Sequence, residues 1–275
     1  MKKIITIVLS AILSVVMLFS MTACGATKSV VDVTTKTITV GYTDYSPMNY
    51  EEKGVLKGFD TELALMTFNA LGYEVRFKLI DWSNKYMELD SGNIDCVWNG
   101  FTMNSSDTIN GVSTPRAEIV DFTKPYMYNA QCIVKAANAP EITDIADFAG
   151  KSVAYEAGSA AVDFVNGLSG INAKPVTSQM DALREVKAGT AQYAVVDVIL
   201  AKANAGKGDY ASLSINEGLA MDQELYAVAF KKGSELTEKV NILFNAFAKT
   251  GVLTEIATKY GLENVVILDG YLNIV

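Results

Sequence analysis

The sequence lacks histidine entirely and contains only three cysteines among its 275 residues. The absence of histidine excludes a Ser-His-Asp triad and leaves no ligand set typical of a transition-metal site, so we expect no metal and no cofactor. Cys96 and Cys132 lie within the apolar runs "IDCVW" and "QCIVK". Buried free thiols are common in such runs. An oxidising exterior would allow the two to pair, and the sequence leaves that alternative open.

Positive charge is also scarce. The chain has 23 Lys and Arg against 31 Asp and Glu, a net charge of −8. Removal of the first 23 residues would take away Lys2 and Lys3 and leave 21 basic against 31 acidic residues, a net charge of −10. Such a surface repels phosphate backbones and anionic lipid head groups, which excludes nucleic acid as a partner.

The sequence has one long hydrophobic run, at residues 4–19, directly after Lys2 and Lys3. A membrane span needs about 20 residues, and this shorter run matches a signal peptide. The run leads into "MTACG", which is typical of a bacterial lipobox with diacylglycerol on Cys24. An ordinary secretory signal with an incidental cysteine is the alternative. We predict a signal peptide at 1–23, a lipidated tether at 24–37 and an extracytoplasmic protein anchored to the cell membrane.

Strands and helices alternate beyond the tether. Apolar periodicity predicts strands at 37–42, 74–80 and 94–98, with helices at 58–73 and 81–92 between them. This β-α-β-α-β order predicts a mainly parallel sheet with helices on its faces. The same order restarts near residue 145, and the chain ends in further helices. We therefore predict an α/β protein of two lobes rather than one long sheet.

Ligands of open parallel sheets lie beyond the carboxyl ends of the strands. The polar residues that follow Gly41, Trp98, Tyr155 and Val196 are therefore the candidates for a binding site. In "CVWNGFT" the apolar strand is expected to stop at Asn99-Gly100, which would leave backbone N–H and C=O groups unpaired and able to face a ligand. A plain turn at Asn-Gly is the alternative reading.

Seven segments, taken in order, resemble one known family. They are "VGYTDYSPMNY", "GVLKGFDTELALMTFNALG", "IDWSNKYMELDSGNIDCVWNGFT", "VDFTKPYMYNAQ", "GKSVAYEAGSA", "ALREVKAGTAQYAVVD" and "VAFKKGSELTEKVNILFNAFAKTGVLTEIATKYG", and they cover nearly all of residues 38–262. They resemble the extracytoplasmic solute-binding proteins of polar amino-acid ABC importers, which have the type II periplasmic-binding fold. The resemblance implies lobe 1 at 38–127 and 221–275 and lobe 2 at 128–220. Hinge strands near Tyr126–Cys132 and Glu217–Glu224 would join lobes whose sheets are mainly parallel.

The resemblance also implies a function. The protein would capture a free polar amino acid by hinge closure and deliver it to an ABC permease, as a monomer without enzymatic activity. Two further carboxylates near the cleft, Asp44 and Glu156, favour a basic ligand, although Glu156 could equally be a solvated loop charge. One alternative is an enzyme of the same fold that resembles cyclohexadienyl dehydratase, with Glu156 as the general acid. The other is a sensor domain, against which we note no second apolar stretch of membrane length before Val275.

The family pattern assigns roles to particular residues. Matched positions place Gly100 and Thr102 at the ligand's α-amino and carboxylate groups, and Tyr45 and Trp82 as aromatic walls, with core packing as the alternative for the walls. Gly158-Ser159 would seat the carboxylate at a helix start. Asp197 would bind the ammonium group, or else cap the following helix. The full set of predicted ligand-binding residues is Asp44, Tyr45, Trp82, Asn99, Gly100, Phe101, Thr102, Arg116, Gly158, Ser159 and Asp197.

Arg116 is the predicted bidentate partner of the ligand carboxylate. Thr114-Pro115 is expected to begin a helix and to place Arg116 in its first turn. Fifteen residues separate Gly100 from Arg116, more than the family pattern has, so "NSSDTINGV" is read as an insertion. Either the inserted loop bulges into solvent and Arg116 keeps its role, or the loop remodels the site and Arg116 is a surface charge.

Overall fold

The computed structural model describes residues 36–272. The predicted signal peptide, the lipidation of Cys24 and the predicted tether up to residue 35 lie outside the described residues. Lys36 and Thr37, expected in the tether, instead begin the first strand. All described residues belong to a compact unit that spans Thr35–Val275.

The described strands follow the order of the chain. They are β1 (Lys36–Tyr42), β2 (Tyr50–Glu52), β3 (Val55–Lys57), β4 (Tyr73–Leu79), β5 (Cys96–Thr102), β6 (Ser106–Ile109), β7 (Val112–Pro115), β8 (Asp121–Phe122), β9 (Met127–Ala136), β10 (Ser152–Glu156), β11 (Asn172–Val176), β12 (Tyr193–Asp197), β13 (Leu213–Ile215) and β14 (Gln223–Phe230).

The described α-helices connect and cover these strands. They are α1 (Phe59–Ala70), α2 (Lys85–Asp90), α3 (Arg116–Ile119), α4 (Ala161–Asn166), α5 (Gln179–Lys187), α6 (Val198–Asn204), α7 (Leu236–Thr250), α8 (Val252–Lys259) and α9 (Asp269–Leu272). No helix within residues 36–272 has both the length and the apolar character needed to cross a bilayer.

Two α/β lobes share one continuous sheet, whose main path runs β11-β10-β12-β9-β14-β5-β1-β4. In lobe 1, β1 pairs in parallel with both β4 and β5. In lobe 2, β10 pairs in parallel with β11 and β12. The inward faces of both lobes carry buried apolar side chains. In lobe 1 the ring of Trp98 packs edge-on against Phe68 and Phe244.

Two long antiparallel strands connect the lobes. The chain passes into lobe 2 along β9 and returns along β14, and the two strands pair between Met127–Ala130 and Gln223–Tyr226. The second crossover was expected near Glu217–Glu224, but the strand begins only at Gln223. The preceding residues are held to lobe 2, because the Asn216 side chain donates to the Ile142 carbonyl and the Glu217 N–H donates to Glu141.

Strand β5 continues beyond the predicted stop at Asn99. It runs to Thr102, and its register against β14 shifts between Ala227 and Ala229. Gly100 lies in this shifted stretch with φ of 59°, a conformation that glycine adopts at little cost. A Cβ at Gly100 would lie 2.8 Å from ring atoms of both Tyr45 and Tyr226. Gly100 therefore forms part of a β-bulge, and the strand continues beyond it.

The predicted insertion folds as a β-hairpin. Strands β6 and β7 pair from Ser106 opposite Pro115 to Ile109 opposite Val112. Asn110 and Gly111 form the turn, both with positive φ, which matches the right-handed twist of a two-residue hairpin. The segment is therefore an ordered element and not a loop. Thr114 and Pro115, expected to begin the helix, instead end β7. Arg116 is the first residue of α3 and therefore lies in its first turn, as the sequence predicted.

Candidate functional site

The carboxyl ends of strands from both lobes meet at a small cavity. Lobe 1 contributes side chains and backbone from β5, from the turn after β4 and from the start of α3. Lobe 2 contributes the end of β10, the following turn, the start of α5 and the end of β12. The lining residues are Trp82, Asn99, Gly100, Thr102, Arg116, Glu156, Ser159, Ala160, Gln179 and Asp197.

The structure brings seven of the predicted site residues to this cavity. They are Trp82, Asn99, Gly100, Thr102, Arg116, Ser159 and Asp197. The cavity thus receives a guanidinium from lobe 1 and a carboxyl group from lobe 2. The individual ligand contacts of these residues stay predictions.

Two predicted aromatic contacts lie behind the cavity. The Tyr45 hydroxyl is 2.7 Å from the Tyr226 hydroxyl, and Tyr45 is only 2% exposed. Phe101 is fully buried between Trp82 and Phe122, with ring centroids 5.0 Å from each. Trp82 is therefore the aromatic side chain that the structure places on the cavity wall, while Tyr45 and Phe101 support the residues in front of them.

Asp44 and Gly158 also lie outside the cavity lining. Asp44 pairs with Arg184 of lobe 2 at 3.8 Å and lines a separate cavity at the cleft mouth. Gly158 turns its carbonyl toward lobe 1, where Lys85 Nζ donates to it at 2.9 Å and Arg116 Nη2 at 3.3 Å. These contacts hold the two lobes together around the cavity.

The N–H of Gly100 is occupied by a neighbouring carboxyl group. Asp60, in the first turn of α1, accepts from this N–H at 2.8 Å and from the Tyr126 hydroxyl at 2.9 Å. The Asn99 amide donates to the Thr43 carbonyl and to Asn49. The expectation of unpaired groups at Asn99-Gly100 is therefore wrong for the Gly100 N–H, because the strand continues and Asp60 binds it.

Asp60 is fully buried, and burial raises its pKa to about 7 against the lowering effect of its donors. Its sequence context, "GFDTE", resembles an ordinary helix start with an acidic first turn. The sequence around Asp60 therefore contains no signal that places Asp60 next to the binding site.

Arg116 is buried at the edge of the cavity, only 1% exposed. Its Nη1 donates to the Thr102 carbonyl at 3.0 Å, and its Nη2 donates to Asp107 at 2.9 Å. Its Nε is buried without a hydrogen-bond partner. The expectation that Arg116 could be a surface charge is wrong. Arg116 lines the cavity and one of its N–H groups lacks a partner, so its guanidinium is suited to an anionic group.

The inserted hairpin supplies the counter-charge for Arg116. Asp107 of β6 accepts from Arg116, lies 3.1 Å from Lys85 Nζ and accepts from the Tyr86 hydroxyl at 2.6 Å. Burial alone would raise the pKa of Asp107, but Arg116 and Lys85 outweigh it and hold the pKa below its usual value. Burial lowers the pKa of Lys85 to about 8, and the nearby Arg116 acts in the same direction.

Asp197 ends β12 inside a cluster of amides. The side chains of Asn129, Gln131 and Gln179 all donate to its carboxyl group, Asn129 at 2.9 Å and Gln179 at 2.5 Å. It makes no side-chain cap to α6, the alternative considered from the sequence. Burial raises the pKa of Asp197, and the amides act in the opposite direction.

Glu224 of the crossover strand β14 joins the same cluster. It accepts from Thr102 at 3.1 Å and from Asn129 at 2.6 Å, so it links lobe 1 to the amides around Asp197. Burial raises the pKa of Glu224 to about 7, with Asp197 adding to the effect. Glu224 is not among the predicted site residues. The polar positions of "YNAQC", which alternate along β9, are the sequence signal that indicates a polar hinge.

Glu156 and Ser159 bound the cavity from lobe 2. Ser159 donates from its Oγ to the Glu156 carbonyl at 2.8 Å and from its N–H to the same atom at 3.2 Å. The predicted carboxylate seat at Gly158-Ser159 needs a free N–H, but the N–H of Ser159 already has a partner within the turn. Glu156 is 2% exposed, so it is not a solvated loop charge. Its Oε1 is buried without a hydrogen-bond partner.

Comparison with known proteins assigns the family. The model of the bacterial extracellular solute-binding proteins, family 3, matches residues 38–263. The chain belongs to this family. The family 3 chain is extracytoplasmic and has the two-lobed type II periplasmic-binding fold, as the sequence predicted.

Relatives match the family 3 chain over most of its length. The arginine-binding extracellular protein ArtP of Bacillus subtilis is 27% identical over 265 residues, which cover 94% of this chain and 98% of the relative. A probable amino-acid ABC transporter-binding protein of Haemophilus influenzae is 27% identical and covers 82% of this chain and 85% of its own. An ancestral arginine-binding protein, solved with arginine, superposes with a TM-score of 0.73 at 30% identity and covers 82% and 97% of the two chains.

Proposed function

We propose that this protein captures a free amino acid between its two lobes and presents it to an ABC permease. The observation that carries the proposal is a cavity with unlike charges on opposite lobes. Arg116 of lobe 1 has a free Nε, and Asp197 of lobe 2 is a buried carboxyl group. An α-amino acid carries a carboxylate and an ammonium group, and the two walls complement them.

We propose further that the ligand has a cationic side chain. The relatives support this, since one is an arginine-binding protein and a similar solved structure holds arginine. The acidic character of lobe 2 around the cavity supports it as well, because Glu156 lies there in addition to Asp197. A second cation in the ligand would offset this excess negative charge.

The permease and the membrane anchor belong to the same proposal. A relative carries the description of an ABC transporter-binding protein, which supports delivery to a permease. The "MTACG" sequence supports diacylglycerol attachment at Cys24 and a protein held on the outer face of the cell membrane. We propose that the protein acts there as a monomer. Mass spectrometry of the protein from membranes, compared with a Cys24→Ala variant, tests the lipid.

The test of amino-acid capture is a thermal-shift screen against the free amino acids, followed by calorimetric titration. A ligand that binds only the native state raises its apparent stability by RT ln(1 + [L]/Kd), about 2.7 kcal/mol at 100 times Kd. We expect arginine, lysine or ornithine to give the largest shift. A preference for aspartate or glutamate would contradict the cationic side chain, and no shift with any amino acid would contradict capture itself.

We propose that the protein is not an enzyme. The dehydratase alternative needs a general acid beside the substrate, and Glu156 is the candidate. The relatives support the proposal, since the Bacillus and Haemophilus proteins are both described as binding proteins. Conversion of prephenate by the purified protein, absent in a Glu156→Gln variant, would overturn this part of the proposal.

A further inference from the structure

The cavity contains a carboxyl group that recognition of the α-amino and α-carboxylate groups does not use. Glu156 is the last residue of β10 and lines the cavity from lobe 2 at 2% exposure. Its Oε1 accepts no hydrogen bond. A buried polar atom without a partner costs the free energy of its lost hydration, so native proteins rarely retain one without a function.

The charged groups around Glu156 do not satisfy it. Burial raises the pKa of Glu156 well above its ordinary value, Asp197 and Asp81 act in the same direction, and Lys85 opposes them. Lys85 is itself committed to Asp107 at 3.1 Å and to the Gly158 carbonyl at 2.9 Å. Gln179 also opposes the rise, as a hydrogen-bond partner of the Glu156 carboxyl group. The carboxyl group therefore has an amide partner and a cation that is bound elsewhere, while its Oε1 stays without a partner.

Asp44, the other acid expected near the ligand, is in a different situation. Its side chain is 47% exposed and pairs with Arg184 across the cleft. It lines the cavity at the cleft mouth and not the one that holds Arg116 and Asp197. A hydrated and already paired carboxylate gains little from a further cation. The two candidate carboxylates are thus distinguishable by burial and by partner.

We propose that Glu156 selects the side chain of the ligand, by accepting hydrogen bonds from a guanidinium or ammonium group at its end. This inference rests on the proposed function and names the residue that determines its specificity. A cation placed at the free Oε1 supplies the missing donor and the opposite charge in one contact. Charge-assisted hydrogen bonds of this kind are the strong ones, and a ligand without the cation would leave the buried oxygen unsatisfied.

The experiment compares two ligands on two proteins. Arginine and citrulline have nearly the same shape, and only arginine carries the positive charge. Glutamate and glutamine at position 156 form the matching protein pair. We expect the wild type to bind arginine about 10 to 100 times more tightly than citrulline, and Glu156→Gln to bring that ratio close to one. Glu255→Gln, the same substitution at an exposed glutamate outside the cavity lining, is the control and should leave the ratio unchanged.

A third ligand separates the side chain from the α-ammonium group. 5-Guanidinopentanoic acid has the guanidinium and the carboxylate of arginine but no α-amino group. If Glu156→Gln changes the preference for arginine over this compound and leaves the arginine-to-citrulline ratio intact, Glu156 binds the α-ammonium and the proposal is wrong. Glu156→Leu removes the carboxyl group in a different way and should give the same arginine-to-citrulline ratio as Glu156→Gln. The test can therefore still be made if one of the two variants folds poorly.

The outcomes also separate this inference from amino-acid capture. If the protein binds amino acids but its arginine-to-citrulline ratio is the same with Gln or Leu at position 156, the role of Glu156 is overturned and capture stands. If no amino acid binds to the wild type, capture fails and the role of Glu156 fails with it.

Discussion

Single residues in the cleft combine burial with incomplete hydrogen bonding. Arg116 keeps its Nε without a hydrogen-bond partner, while its other nitrogens are used by Thr102, Asp107 and Gly158. The contacts with Thr102 and Asp107 lie within lobe 1, so they fix the guanidinium plane before the lobes close, and little conformational entropy remains to be lost on binding. The sequence could not show whether Arg116 keeps this orientation after the insertion that follows Gly100, because the orientation depends on how the inserted residues fold.

The role of Arg116 as carboxylate partner can be tested with a matched pair of ligands, arginine and argininamide. The amide lacks the negative charge, so we expect the wild type to favour arginine by about 10- to 100-fold. Arg116→Ala should weaken arginine binding and abolish most of this preference, as measured by calorimetry. An unchanged preference in the variant would show that another group binds the carboxylate, even if overall affinity falls.

Asp60 provides a prediction about pH. Its pKa is about 7 in the folded protein and about 3.9 in an unfolded chain, so between these values the folded state binds more protons and its stability falls as pH rises. The slope from one such group is about 1.4 kcal/mol per pH unit. Asp60→Asn cannot titrate and should remove this contribution, so its stability relative to wild type should rise by about 2 to 3 kcal/mol between pH 5 and pH 7.

Denaturant unfolding at several pH values measures the Asp60 effect. Asp209→Asn, at an exposed aspartate, is the control and should follow the wild type throughout. If the free energies of unfolding of Asp60→Asn and wild type change with pH in parallel, Asp60 is ionised in the folded protein at pH 5.

At the scale of elements, the inserted hairpin is the feature that sequence reasoning described least well. The strands and helices of the two lobes follow apolar periodicity, and their order was read correctly because burial of one face dictates that pattern. The hairpin buries little, and its strands are mostly polar. Asn110-Gly111 was the available signal for its turn. The contact of Asp107 with Arg116 and Lys85 had no sequence signal, since it depends on three separate elements coming together.

Asp107→Asn tests whether the hairpin supports the site. The change leaves Lys85 and Arg116 buried together without their anion, which is strongly unfavourable. We expect a loss of unfolding free energy of about 2 to 4 kcal/mol and weaker binding of the amino acid. Glu52→Gln removes an exposed ion pair with Lys57 and should leave the unfolding free energy nearly unchanged.

The hairpin prediction has a separate readout for the site. If Asp107→Asn lowers stability but leaves the arginine-to-argininamide preference untouched, the hairpin stabilises the fold without orienting Arg116. A reduced preference, measured at a temperature where the variant is fully folded, would confirm that it does both.

At the scale of the whole molecule, the structure has the two lobes in contact around the cavity. Lys85 and Arg116 of lobe 1 reach the Gly158 carbonyl of lobe 2, and Arg184 of lobe 2 reaches Asp44 of lobe 1. These contacts are polar, and the hinge consists of two strands with buried amides and acids between them. Water can replace polar contacts of this kind when lobes separate by a hinge motion.

The two-lobed fold could be read from the sequence because each lobe repeats the same α/β order. The cluster that Asn129, Gln131 and Glu224 form with Asp197 could not be read in the same way, because it depends on the pairing of two strands that are far apart in the sequence. Their meaning emerges only when β9 and β14 pair and bring them to Asp197.

Small-angle X-ray scattering of the wild type with and without a saturating amino acid tests the central claim most directly. A ligand drives closure only if it binds the closed form better, and groups from both lobes give arginine that difference in affinity. We predict that arginine lowers the radius of gyration of the wild type. The Asp197→Asn variant should show the same change only at a much higher arginine concentration. If calorimetry shows that a free amino acid binds but the radius of gyration does not change with it, capture by closure is contradicted.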